Sequence, residues 1–268
     1  MSCSESSACV IVGIDRYRER GQAMVEMVIA IPVLLMLLLA IIELAFGYRA
    51  FLTLQYAAQE AARLAAMHNA QYPAMRKGLV NGMAPLFVGH VEVEDEFTAE
   101  SRALEDAFRY ATREVDDFMS VVRVNPPPEA FRADFAEERL IKAASKKESD
   151  FETVLIPNER LIFRSAKEDS ATDLTIQDAN LLKITIEYCY ELKTPIWRNI
   201  LPSLLPDSAR ATQFDERRLD LCAVDNRKGL ILRTDAMARM QSAIWENCNV
   251  RQRGGAAAGR VSAVCHQP

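Results

Sequence analysis

The most distinctive chemistry in this sequence lies where basic residues, a glycine and a glutamate follow one another in "RERGQAMVE". Glu26 is the fifth residue counting from Gln22, and nearly every residue from Met27 to Leu44 is apolar. This run is long enough to cross the hydrocarbon core of a bilayer as a helix. Because a carboxylate in such a segment costs roughly 3 kcal/mol or more, we expect Glu26 to have a function.

No constellation of catalytic or metal-ligating residues stands out elsewhere in the sequence. The histidines are isolated, no HExxH or GxSxG motif occurs, and Cys265-His266 has no second ligand pair at zinc spacing. An acidic run at 92–96 is typical of a solvated surface, and "RGGAAAG" lacks the GK[ST] of a phosphate-binding loop. We therefore expect no enzymatic activity, no metal and no cofactor.

Composition narrows the class of protein. The 268 residues carry a net charge of -5 and no basic patch interleaved with aromatics, which argues against a nucleic-acid partner. No small-molecule substrate is evident either. Only one segment reaches spanning length, and it is too long for a signal-peptide core and lacks a small-x-small cleavage site at Phe46-Gly47-Tyr48. One retained membrane helix carrying one soluble body is the expected organisation.

Two features bear on the side of the membrane that the body occupies. The basic residues before the apolar run slightly outweigh those after it, a weak positive-inside bias (Arg16, Arg18 and Arg20 against Arg49 and Arg63). The body also carries an even number of cysteines without a CxxC pair (Cys189, Cys222, Cys248 and Cys265). They could be buried free thiols, but beside a membrane anchor disulfides in an oxidising compartment are favoured. Both features predict a body outside the cytoplasm.

The disulfide connectivity is open among three pairings. We prefer Cys189–Cys222 together with Cys248–Cys265. Cys189 ends the strongest predicted strand and Cys222 closes the segment that follows it, while the second bond would close the loop that contains "RGGAAAG". Closing such a loop is worth roughly 3 kcal/mol in the chain-entropy model.

The segment "RGQAMVE" resembles the processing site of type IV pilin-like proteins, in which a glycine precedes an apolar helix with glutamate at its fifth position. The resemblance implies that a membrane prepilin peptidase cuts between Gly21 and Gln22 on the cytoplasmic side. Cutting creates an α-amino group at Gln22, which Glu26 of a neighbouring subunit can neutralise. The alternative is that Glu26 only snorkels to the headgroups.

A longer stretch, "GQAMVEMVIAIPVLLMLLLAIIELAFGYRAFLTLQYAAQEAARLAA", is similar to the N-terminal segment of TadE-like proteins, minor pseudopilins of the tight-adherence (Tad, Flp) pilus system. It shares the fifth-position Glu26, a proline in the first half of the span (Pro32), Glu43 near its end and an Ala-Arg-rich continuation. The similarity implies an inner-membrane protein, with its N-terminus in the cytoplasm and its body in the periplasm, that assembles a pilus without catalysis. Other pilins, pseudopilins and Tad assembly-platform proteins are the implied partners.

The expected domains are a cleaved leader at 1–21, a membrane helix at 22–47, an amphipathic helical extension at 48–72 and a body at 73–268. The leader is either atypical in length or begins at too early a start codon, and its Cys3 and Cys9 would not form disulfides in the reducing cytoplasm. Pro32 should bend the membrane helix. The extension has a small apolar stripe, which fits packing on its own body alone or on neighbouring subunits as well.

The body is predicted to be α+β, with helices packed on an antiparallel sheet as in pilins. Helical spacing covers Phe97–Val124, and a second helix is predicted over Glu129–Ala144. A hairpin is expected from 154–156 and 161–163 around "PNER". Alternating residues predict strands in "LLKITIEYCY" and over Leu230–Met240.

Two functions of other classes compete with pilus assembly. One is a single-pass, membrane-anchored periplasmic binding or sensor module, in which Glu26 is a snorkelling residue. The other is a tethered envelope enzyme, which would need a nucleophile or metal constellation that the sequence lacks. The mass of the mature chain separates the first rival from a pseudopilin, because only the pseudopilin loses its leader at Gly21.

Overall fold

The computed structural model describes residues 8–88, 96–141, 151–170, 172–204, 222 and 227–246, with the backbone alone for residues 8–23, 96–102, 151 and 202–204. The chain divides into two compact units, Met1–Phe46 and Gly47–Pro268. The second unit is called the body below.

Five α-helices lie in the described residues. They are α1 (Ala8–Met67), α2 (Tyr72–Met83), α3 (Glu96–Phe118), α4 (Ile176–Ala179) and α5 (Pro195–Leu204), and single 3₁₀ turns occupy Ala84–Leu86, Pro128–Arg132 and Leu161–Phe163. α1 ends at Met67, and Pro73 lies in the first turn of α2, where a proline removes no helical hydrogen bond. Tyr72-Pro73 therefore begins a second helix. The sequence pattern did not predict this helix, because it contains two glycines, which are poor helix formers.

In the described part of the chain, six strands form two antiparallel sheets. β1 (Met119–Asn125), β4 (Leu181–Glu191) and β5 (Gly229–Arg239) form one sheet in the order β1-β4-β5, called the main sheet below. β2 (Glu137–Ile141), β3 (Phe151–Ile156) and β6 (Ile244–Trp245) form the second in the order β2-β3-β6. Helices packed with antiparallel sheets confirm the predicted α+β class.

The central strand β4 is buried on both faces. Leu182, Ile184 and Ile186 point into the hydrophobic core, and the alternate residues Thr185 and Glu187 are buried as well. Alternation of apolar and polar residues predicted this strand and β5. A half-exposed sheet would leave the polar face in water. Here that face is covered, and its polar side chains bond to residues of β5.

Three local predictions were wrong. Helical spacing ends at Phe118, where β1 begins, because β-branched residues then pair with β4 from Met119 onward. Within Glu129–Ala144 the chain forms a 3₁₀ turn and then β2, which pairs with β3. Residues 161–163 form a turn and not a strand, so the hairpin around "PNER" does not exist; β3 pairs with β2 and β6.

The C-terminal part of α1 packs very closely on α2. A Cβ added at Gly78 would lie 2.5 Å from Cα of Ala61, and one at Gly82 would collide with Cα of Ala57. These two glycines are four residues apart, so they lie on one face of α2. The alanine face of α1 and the glycine face of α2 therefore allow the two backbones to touch.

We predict that Gly82→Ala destabilises the body although alanine is the better helix former. The added methyl overlaps Ala57 and should lower the free energy of unfolding by about 1–3 kcal/mol, whereas relief of glycine's backbone entropy would raise it by about 0.5–1 kcal/mol. Thermal unfolding of the full chain in detergent measures the difference. Asn81→Ala, at the exposed neighbouring position, is the control and should not lower stability; equal midpoints for both variants would contradict the close approach.

Candidate processing and assembly segment

The predicted processing residues all lie within α1. Gly21, Gln22 and Glu26 are helical, and the side chain of Glu26 is exposed. Gln22 and Glu26 are four residues apart, which puts them one turn from each other on the same side of the helix. Pro32 also lies inside α1. An amino group created at Gln22 would therefore lie on the same side of the helix as Glu26, about one turn away along its axis.

The apolar run of α1 is exposed along its length. Large side chains remain uncovered from Met24 to Leu44, with Val28 70% and Leu37 58% exposed. Within the described residues α1 is the one helix long and apolar enough to cross a membrane, over Met24–Met67. An exposed apolar surface of this length far exceeds the patches that monomeric soluble proteins expose, so it requires lipid or an apolar partner.

The extension of α1 from Gly47 to Met67 has two different faces. Its inner face is made of small residues and is buried in the core of the body (Ala50, Leu54, Ala57, Ala58, Ala61, Ala62, Ala65 and Ala66). Its outer face exposes Tyr48, Leu52 and Tyr56 at four-residue spacing. The inner face shows that the extension packs on its own body. The outer face leaves these three large side chains in contact with solvent.

Residues between β5 and β6 cap the C-terminus of α1. The carbonyl of Ala66 accepts hydrogen bonds from the N–H groups of Gln241 and Ser242, at 3.0 and 3.1 Å. Asn69, which has a positive φ of 58°, donates from Nδ2 to the carbonyl of Ala243 at 2.7 Å. Asparagine tolerates this left-handed conformation better than most residues. The carbonyl of Ala66, one of those that the end of a helix leaves unpaired, is thus satisfied by the turn between β5 and β6.

An ion pair connects α2 with α3. The guanidinium of Arg76 donates from Nε and Nη2 to the two carboxylate oxygens of Asp116, both at 2.6 Å. The hydrogen bond to Asp116 raises the pKa of Arg76 against the opposing effect of burial. Nearby, burial and then the charge of Asp116 raise the pKa of Tyr72. The pair fixes the orientation of α2 relative to α3 through a planar, two-point contact.

A second arginine joins α3 to the main sheet. Arg227 donates from Nη1 and Nη2 to the two oxygens of Glu114 at 2.7 Å and lies 3.3 Å from the ring centre of Phe118. Tyr188 of β4 donates its hydroxyl to Glu114 at 3.1 Å. Burial would lower the pKa of Arg227, but the hydrogen bond and charge of Glu114 outweigh it and raise that pKa. Burial, followed by the charge of Glu114, raises the pKa of Tyr188.

A disulfide lies beside this cluster. Cys189 of β4 and Cys222 are bonded in the structure, with their Cα atoms 5.4 Å apart. The position next to this disulfide on β5, Gly229, must be a glycine. A Cβ there would collide with the backbone oxygen of Tyr190 and lie 3.0 Å from Sγ of Cys189. Cys248 and Cys265, the other predicted pair, lie outside the described residues, as does Cys3; of Cys9 only the backbone is described.

A third arginine bridges the two sheets. Arg123 of β1 is buried and donates to the carbonyls of Trp245 and Glu246 at 2.9 and 3.1 Å. Its guanidinium also lies 4.9 Å from the ring centre of Phe131. Burial lowers the pKa of Arg123 to about 10. The two sheets are therefore joined by charge-assisted hydrogen bonds at β6.

Comparison with known proteins identifies the N-terminal part of this arrangement. Residues 21–63 match the family model described as TadE-like protein. This segment is TadE-like. The match begins at Gly21, includes Glu26 and Pro32, and reaches through the apolar run into the extension, so the predicted resemblance is confirmed. No curated protein and no solved structure matches the chain.

The TadE-like segment therefore holds the predicted processing residues, while the interactions that hold the body together were missed by the sequence analysis. Glu114, Arg227 and Arg123 gave no local signal, because each pairs with residues far away in the chain. Glu187 and Arg233 could have been noticed as charges within strongly apolar strands. In the part of the chain that the structure describes, no group of His, Cys, Asp or Glu could hold a metal ion.

Tyr188 gives a prediction for alkaline pH. Unfolded tyrosine ionises near its ordinary pKa of 10.0, whereas folded Tyr188 keeps its proton to higher pH. The unfolded state then binds fewer protons, so this contribution to stability is intact below about pH 10 and is lost as the pH rises further. Tyr188→Phe should remove up to about 1.4 kcal/mol per pH unit of that decline and cost roughly 1 kcal/mol at neutral pH through the lost hydrogen bond.

Urea unfolding of the full chain in detergent between about pH 8 and pH 11 measures both effects. Tyr110→Phe, at an exposed position on α3, is the matched control. If the Tyr188→Phe and wild-type chains lose stability with the same slope above pH 10, the raised pKa of Tyr188 is wrong.

Proposed function

We propose that this protein is a minor pseudopilin that takes part in assembling a Tad/Flp-type pilus, a machinery related to type IV pili and type II secretion. The observation that carries the proposal is the TadE-like match over residues 21–63, which starts at the glycine of the proposed cleavage site. The protein acts by packing with other subunits and not by catalysis. Its partners are a prepilin peptidase, other pilins or pseudopilins, and the Tad assembly platform.

The proposed maturation gives Glu26 its role. The peptidase removes residues 1–21 on the cytoplasmic face and leaves a charged amino group at Gln22. In a stack of subunits, that group pairs with Glu26 of a neighbour, so two charges at the membrane surface are neutralised together. The exposure of Glu26 on α1 supports this assignment, because a neighbour can approach it.

The chain spans the bacterial inner membrane once, with its N-terminus in the cytoplasm and its body in the periplasm. The exposed apolar run of α1 supports a spanning helix. The bond between Cys189 and Cys222 supports the periplasm, since disulfides persist in oxidising compartments.

The outer face of the extension supplies an assembly surface. Tyr48, Leu52 and Tyr56 form an exposed stripe on the body. A neighbouring subunit packs along this stripe outside the membrane. Tyrosines suit this position because each combines a large apolar area with a polar end.

Processing at Gly21 is tested by substituting that residue. Gly21→Val places a branched side chain before the scissile bond, so the leader should remain attached; Gly21→Ala is the small-residue control and should still be cut. Intact mass of the chain purified from a host with its prepilin peptidase measures both. A wild-type chain that keeps its leader, or a mature N-terminus other than Gln22, would contradict the proposal and favour an anchored periplasmic binding module.

Glu26 is expected to matter for assembly and not for insertion. Glu26→Ala removes a costly charge from the start of the span, so membrane insertion should be unchanged or slightly improved. Recovery of other pilus-system proteins in co-purification should fall, and Glu26→Gln, which keeps the shape and removes the charge, should show the same loss. Normal partner recovery with both variants would identify Glu26 as a snorkelling residue only.

A further inference from the structure

β5 forms one edge of the main sheet. It pairs with β4 along its full length, from Gly229 opposite Glu191 to Arg239 opposite Leu181, without a break in register. No strand within the described residues pairs with its other side. A long edge without proline or bulge is a ready template for pairing with another strand, and proteins normally blunt such edges.

The register shows which groups of β5 point outward. Just beyond the two ends of the ladder, Leu192 N–H donates to the carbonyl of Lys228, and Met240 N–H donates to that of Asn180. Hydrogen-bonded and non-hydrogen-bonded pairs alternate along an antiparallel ladder. The even-numbered residues of β5 therefore bond to β4, and the main-chain groups of Ile231, Asp235 and Met237 point away from it.

The side chains along this edge place opposite charges around Thr234. Arg233 precedes Thr234, donates to Glu187 of β4 and has its side chain 31% exposed. Asp235 follows Thr234, accepts a hydrogen bond from Thr185 of β4 and has its side chain 51% exposed. Both side chains therefore still present charge to solvent at this edge. Met237, further along, is 58% exposed. A strand with a positive charge on one side of its centre and a negative charge on the other is complementary to itself when reversed.

We propose that β5 binds β5 of a second copy of this chain, antiparallel, with a two-fold axis through Thr234. This register places Arg233 opposite Asp235 of the second copy and Ile231 opposite its Met237. The two Thr234 residues face each other in a non-hydrogen-bonded pair. Opposite-charge, apolar and threonine pairs are each favourable across strands. The three-stranded sheets of the two bodies become one continuous sheet.

Charge excludes the neighbouring registers. Moving the axis to Asp235 places the two Asp235 residues opposite each other, and moving it to Arg233 does the same for the arginines; both put like charges together. An axis between two residues would set outward-pointing groups against inward-pointing ones and lose the ladder. The proposal rests on the body alone and stands or falls independently of pilus assembly.

Cysteine cross-linking of the full-length chain in membranes tests the register. At a non-hydrogen-bonded pair the Cα atoms lie about 4.5 Å apart, which suits a disulfide, so Thr234→Cys should give a covalent dimer under mild oxidation. Asp235→Cys should give at least about fivefold less, because its two copies would lie diagonally across the ladder. A double variant that carries both Ile231→Cys and Met237→Cys should form the covalent dimer, whereas either substitution alone should not. The unsubstituted chain controls for the native cysteines.

Dimer mass and strength give the second measurement. Asp235→Arg, opposite Arg233 of the second copy, should weaken dimerisation roughly tenfold in detergent, as measured by sedimentation. Glu105→Arg, an exposed charge reversal on α3, should leave it unchanged, and circular dichroism checks folding of each variant. Equal cross-linking at 234 and 235, no dimer from Thr234→Cys or the double variant, or a cross-linked band of another mass would overturn the proposal.

Discussion

The close contact between α1 and α2 sets the distance between these two helices, and the rest of the body is packed around them. Ala57 and Ala61 touch the backbone of α2 at Gly82 and Gly78, so no side chain separates the two helices there. Without bulk on either side, the contact gains its stability from many short-range dispersion contacts and tolerates almost no enlargement. The same alanine face also belongs to the hydrophobic core shared with β4. The body packs on this inner face and leaves the outer face of the extension exposed, so the two faces of one helix have different surroundings.

Around that core, arginines connect elements that hydrophobic contact alone would leave free to slide. Arg76 joins α2 to α3, Arg227 joins α3 to the main sheet, and Arg123 joins the two sheets. Each makes at least two directed hydrogen bonds, which fix orientation as well as distance. Arg227 and Arg123 are largely buried, so desolvation offsets much of the energy of their contacts, and their main contribution is to specify one arrangement of the elements. Removing one partner would still be costly, because it leaves a buried charge behind.

The sequence predicts the parts of this fold whose signals are local. Apolar length revealed the long apolar part of α1, and alternation revealed β4 and β5, because both patterns lie within single elements. β2 was mistaken for helix since residues such as Glu137 and Leu140 suit helices, and only pairing with β3 makes them a strand. Arg227, which pairs with Glu114, and the carbonyl of Trp245, which Arg123 bonds, each lie more than a hundred residues from their partner, beyond the reach of any local pattern. The TadE-like segment was recognisable because glycine and glutamate at fixed spacing, next to an apolar run, form a linear motif.

The cap on α1 joins residues that are synthesised far apart in time. Ala66 and Asn69 are made early, but the groups that satisfy them belong to Gln241, Ser242 and Ala243. The helix α1 is thus translated long before the carbonyl of Ala66 can be paired, whereas α2, which follows directly, packs on part of the alanine face. Closing contacts of such high sequence separation is intrinsically slow. Until the segment around Ser242 has been translated, the last turn of α1 lacks these hydrogen bonds, so its end is free to fray while the rest of the helix is already packed.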